Sequence, residues 1–78
     1  MIWIFERQQE VLRVETRFDI ETAEFVLRLT APSGAVQVER FRNVATFQQR
    51  LEVLEAELEA ERWVQQGPVF LHDGWKGP

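Results

Sequence analysis

The hydrophobic period of this 78-residue chain changes once, near residue 43, and that change limits what it can fold into. Before it, apolar residues recur at every second position. In "EVLRVETRFD", Leu12, Val14, Thr16 and Phe18 fall on one side, and Val11, Arg13, Glu15 and Arg17 on the other. "EFVLRLT" sets Phe25, Leu27 and Leu29 against Val26, Arg28 and Thr30, and "AVQVERF" sets Val36 and Val38 against Gln37 and Glu39. A period of two belongs to a strand with one buried face. "IWIFER" is apolar on both sides at first, as in a covered strand. After the change, Val44, Phe47, Leu51, Leu54 and Leu58 recur at spacings of three and four, the stripe of an amphipathic helix.

The punctuation between these runs predicts a meander. In "APSGA", Pro32 presets φ, Ser33 suits the next turn position and Gly34 can take a left-handed conformation. "DIETAE" is a longer connection in which Asp19 and Thr22 can bond local backbone. "RQQE" lacks Gly, Asn and Asp and is the weakest turn signal. Asn43 is an N-cap for the helix, with Thr46 and Gln49 as a competing capping box. Gly67 and Pro68 read as the helix stop. A helix over 44–66 would carry a second apolar face of Val53, Ala56, Ala60, Trp63 and Val64.

The expected architecture is therefore α+β. It is a four-stranded antiparallel meander over about 2–8, 10–18, 24–31 and 35–41, with one long helix over 44–66 packed on one sheet face and an extended C-terminal strap over 67–78. The expected core joins Leu12, Val14, Phe18, Phe25, Leu27, Leu29, Val36 and Val38 to Phe47, Leu51, Leu54 and Leu58. The strap follows from "QQGPVFLHDGWKGP". Val69, Phe70, Leu71 and Trp75 are too apolar for a free tail, and "HDGW" reads as a turn around Asp73 and Gly74.

Composition excludes several functions. At 45% hydrophobic and 28% charged, with three Trp and six Phe, the chain is too apolar for a disordered protein. A domain this small buries only about 60–65% of its unfolded surface, so a second copy or another partner would help it. There is no cysteine, which removes disulfides and thiolate chemistry and fits a reducing cytoplasm. No apolar run approaches the roughly 20 residues of a membrane span, and "MIWIFERQQE" lacks the basic start of a signal peptide.

Little in the chain carries reaction chemistry. It has one Ser, one His and no Tyr, and Ser33 belongs to a turn. His72 and Asp73 could orient one another, but no nucleophile accompanies them. Zinc-type spacings and a phosphate-binding Gly loop are both missing. Glu52, Glu55 and Glu59 share one helix flank and read as a solvated face. No catalytic residue, cofactor, metal or small-molecule ligand is expected.

The net charge of −4 is concentrated in the helix: residues 44–66 carry −3, residues 1–43 carry −1, and the tail is neutral. Arg13, Arg17 and Arg28 nevertheless share one sheet face, with Arg7, Arg40 and Arg42 at strand ends. Arginines beside aromatics can hold single-stranded nucleic acid. The alternating Glu15, Glu39 and Glu6 point instead to a cross-strand charge ladder.

"ETRFD…EFVLRL", "VERF", "RLEVLEAELEAERW" and "GPVFLHDGW" together resemble a group of short bacterial proteins of similar length, to which no function is assigned. The resemblance spans most of the chain and implies that the tail belongs to the domain. The order of four strands and a helix is also similar to that of single-strand-binding transcriptional coactivators and whirly proteins, at the level of fold alone. Their basic sheet face is not matched here. The expected function is a small non-catalytic interaction module, homodimeric or bound to another protein, with Trp3, Phe5, Trp63, Phe70 and Trp75 as its partner surface. Single-stranded nucleic-acid binding on Arg13, Arg17 and Arg28 is the alternative.

Overall fold

The structure, a computed structural model, describes residues 1–69. Five strands and a helix follow one another: β1 (Ile2–Arg7), β2 (Glu10–Asp19), β3 (Glu24–Thr30), β4 (Val36–Phe41), α1 (Val44–Ala60) and β5 (Val64–Val69). The strands make a single antiparallel sheet in the order β4-β3-β2-β1-β5. The four-strand meander is as expected. The fifth strand is not: β5 pairs with the free edge of β1, Val64 beside Glu6 and Val69 beside Ile2. Pro68 fits there because an edge strand has one row of N–H groups without a ladder partner.

The core is one cluster of Phe5, Val14 and Leu27 from the sheet with Phe47, Leu54, Leu58 and Trp63, and Trp3, Leu12, Phe25, Leu29, Phe41 and Leu51 pack around it. Leu27, on the middle of β3, has no exposed surface. Phe47 stacks on Phe25 with ring centroids 5.0 Å apart and meets Phe41 at 5.7 Å, which ties the start of α1 to the β3–β4 end of the sheet.

Val36 and Val38 are not core residues. The register pairs Arg28 with Val38, Leu27 with Glu39 and Phe25 with Phe41. Phe41 thus shares the core face with Leu27, and alternation carries Glu39 and Gln37 with it while turning Val36, Val38 and Arg40 to the opposite face. Glu39 is held on the core side by Arg50 of α1, which donates from Nε to Oε1 at 2.9 Å and from Nη2 to Oε2 at 3.1 Å. A charge turned inward on an edge strand also discourages edge-to-edge pairing. Phe18 lies on the expected face but remains 49% exposed, because it reaches past the core to an edge-on contact with Phe25 at the rim.

The helix begins as expected, with the Asn43 side chain accepting hydrogen bonds from the N–H groups of Ala45 and Thr46. It ends six residues early, at Ala60 rather than 66. Arg62 takes a left-handed conformation (φ 68°), its N–H donates to the Glu59 carbonyl, and the Trp63 N–H donates to the Leu58 carbonyl. This is a Schellman stop with arginine where glycine is usual. The apolar pair that normally accompanies the motif is Leu58 and Trp63, both buried in the core. Trp63 and Val64 therefore do not sit on a second helix face.

"RQQE" forms the tightest connection. Arg7 pairs with Glu10, and both intervening residues, Gln8 (φ 49°) and Gln9 (φ 69°), are left-handed. That is the conformation of a two-residue type I′ hairpin, whose twist matches the flanking strands. Gly34 (φ 94°) takes the left-handed position expected in "APSGA".

Candidate functional site

The sheet has a second face, formed by the residues that alternate with the core positions, and it carries a ladder of charged side chains. Along β2, Arg13, Glu15, Arg17 and Asp19 succeed one another on this face. β3 contributes Glu24, Val26 and Arg28, and β4 contributes Val36, Val38 and Arg40. The charges form a ladder. Arg13 lies 3.3 Å from Glu15, and Arg28 lies 3.9 Å from the same carboxylate. Arg17 and Arg40 approach Asp19 at 3.9 and 3.2 Å, and Arg40 also reaches Glu24 at 3.2 Å. Arg42 meets Glu24 at 3.6 Å.

Asp19 is the node of the ladder. Its hydrogen bond from Arg40 holds the carboxyl below its ordinary value. Partial burial works against this, and the backbone N–H groups of Glu21 and Thr22 and the nearby Arg17 reinforce it. An ionised Asp19 thus braces β2, β3 and β4 at one end of the sheet.

Apolar residues are interleaved with the ladder. Val26 is only 4% exposed although it lies on this face, flanked in register by Arg17 and Arg40. The aliphatic stems of such arginines can cover apolar surface. Val11, Val36 and Val38 are 45%, 48% and 52% exposed. Val26, Val36 and Val38 line a shallow depression of about 500 Å³ whose walls include Arg17, Arg28 and Arg40.

The residues singled out in the sequence are dispersed by the fold. Arg13, Arg17 and Arg28 do share the non-core face, and each has a carboxylate within 4 Å. A phosphate would have to displace those carboxylates to bind. Arg7 lies elsewhere, stacked over the Trp63 ring at 4.4 Å and donating to the Glu61 carbonyl at the end of α1. Of the five aromatics expected on a partner surface, Phe5 and Trp63 are buried in the core and Trp3 packs against it. That leaves the first two little to offer a partner. Phe70 and Trp75 lie outside the described residues, as do His72, Asp73 and most of the strap. The valines of β4 were missed as surface residues. The signal was present in the parity of Phe41, which cannot share a face with both Phe47 and Val38.

Among the described residues, no three Asp, Glu or His side chains gather as a metal site, and Glu52, Glu55 and Glu59 stay on the exposed flank of α1. No helix among them is long and apolar enough to cross a membrane. No protein-family model matches the chain, and neither does any curated protein or any solved structure.

Proposed function

We propose that this chain is a small, non-catalytic protein-interaction module of the cytoplasm that pairs with a second copy of itself through the face of the sheet carrying the charge ladder. In this reading α1 closes the other face, and residues 70–78, continuing from β5, form a strap on the domain. The observation that carries the proposal is the half-exposed pair Val36 and Val38, set within charges that already satisfy one another. Two layers, one sheet and one helix, bury one side of the sheet only. A second copy supplies the missing layer.

The charge pattern suits such a partner. Along β2 the order Arg13, Glu15, Arg17, Asp19 alternates in sign, so a two-fold related copy can set each arginine near a carboxylate of its mate. A nucleic acid offers one sign of charge only and gains nothing from the acidic half of the ladder. Light scattering over a micromolar concentration series tests the proposal, which expects a dimer. A monomer throughout that range refutes it. Titration with single-stranded oligonucleotides at low salt, where phosphate binding is strongest, is expected to give no saturable signal. Saturable binding there would favour the arginine-face alternative.

A further inference from the structure

On the other side of the sheet, the flank of α1 nearest β1 does not close completely. Trp3 and Phe5 of the sheet and Leu51, Leu54 and Leu58 of α1 border a cavity of about 170 Å³ that is half open to solvent, with Glu52 and Glu55 on its helix rim. An apolar cavity of roughly 150 Å³ holds a benzene ring, so this one has room for an aromatic side chain. Left uncovered, it keeps the apolar side chains that line it in water, in a domain with little stability to spare.

The described chain stops beside this cavity. β5 runs antiparallel to β1 and brings Pro68 opposite Trp3 and Val69 opposite Ile2, while Gln65 lines the cavity itself. The sequence then continues "FLHDGWKGP", with Asp73 and Gly74 as a turn signal, Trp75 directly after it, and the chain's only lysine at position 76. An extended chain advances about 3.3 Å per residue, so the six residues from Phe70 to Trp75 reach roughly 20 Å even before any turn is used. The helix segment they would meet is the acidic part of the chain.

We propose that residues 70–78 turn back at Asp73 and Gly74 and place the Trp75 indole in the cavity between α1 and β1, with Lys76 against Glu52 and Glu55 on its rim. The occupant is this chain's own end. A tethered side chain faces an effective concentration in the millimolar range, and this segment matches the cavity in both size and charge. The tail thereby completes the core on the helix side and leaves the ladder face as the surface for a second copy.

The test uses the full chain with its leucine methyls labelled. Cross-relaxation between the Trp75 indole and the methyls of Leu51 and Leu54 is expected. It should be independent of dilution and lost in Trp75→Ala, whose melting temperature also falls. Charge reversal by Glu52→Lys with Glu55→Lys should weaken those cross-peaks severalfold at low salt, and unchanged intensity would remove Lys76 from the account. A Trp75 indole with no contact to these methyls overturns the proposal. So do cross-peaks that arise only between differently labelled chains in a mixed sample, since they would seat the tail in a second copy.

Discussion

Arg50 of α1 grips Glu39 of β4 by two parallel hydrogen bonds, Nε to Oε1 at 2.9 Å and Nη2 to Oε2 at 3.1 Å. The pair joins the helix to the edge strand where no apolar residue is available on β4 between Val36 and Phe41 on the core side. Arg50 also approaches Glu57 at 3.7 Å, one further link along α1. Fork-like pairing of this kind fixes geometry as well as adding energy.

That pair sets a pH dependence. The hydrogen bond from Arg50 holds the Glu39 carboxyl below its ordinary value, against the opposing effect of partial burial. A carboxyl lowered in the folded state adds stability that is fully present above its unfolded pKa of about 4.3 and is lost as pH falls through the lower folded value. Glu39→Gln is expected to cost roughly 0.2–1 kcal/mol at neutral pH, the range for a pair that solvent still reaches. It should also flatten the acid limb of a melting-temperature profile. An acid limb identical to that of the wild type would show that the pair contributes nothing.

The register of β4 makes a second prediction, on stability alone. Leu27 is fully buried, so Leu27→Ala should cost about 2–5 kcal/mol, a large part of the stability of a small domain. Val38 is half exposed on the opposite face, so Val38→Ala should cost about 0.5 kcal/mol or less in the unfolding of one chain. Denaturation followed at a concentration low enough to dissociate a dimer separates the two. A Val38→Ala cost as large as that of Leu27→Ala would place Val38 in the core and invert the register.

Left-handed residues other than glycine supply a third. Arg62 holds φ 68° at the helix stop, and Gln8 and Gln9 hold φ 49° and 69° at the first hairpin. Glycine and asparagine adopt these conformations at lower cost. Arg62→Gly, and the pair Gln8→Asn with Gln9→Gly, should each leave stability unchanged or raise it by up to about 1 kcal/mol, read from the denaturation midpoint. A clear loss from Arg62→Gly would mean that the helix does not stop there.

The strands and the start of the helix were legible because the physics that fixes them is local. Alternation marks β2 and β3, and Asn43 marks the cap. The end of the helix was not legible, because "ERW" contains no breaker and the stop depends on Trp63 packing against the core with Leu58. With that stop hidden, Gly67 and Pro68 read as the end of a helix when they lie in an edge strand. The face of β4 failed for a related reason. Val36 and Val38 look more buried than Gln37 and Glu39 until Phe41 and Arg50 are considered together, and that contact lies between two elements. The ladder was legible as alternating charge along β2, but Asp19 was not legible as its node, because Arg40 reaches it from a strand two positions away.

Sedimentation velocity on the wild type and on a Val36→Glu, Val38→Glu double variant tests the proposed self-association most directly. Glutamate at 38 would stand beside Arg28 across the strand pair, so the substitution does not oppose folding of one chain. It would, however, crowd and charge the face between two copies. The account predicts a wild type at twice the 9.2 kDa of a single chain and a variant at 9.2 kDa with an unchanged far-ultraviolet spectrum. A wild type that sediments as a single chain at every micromolar concentration, or a variant that remains as fully dimeric as the wild type, would contradict it.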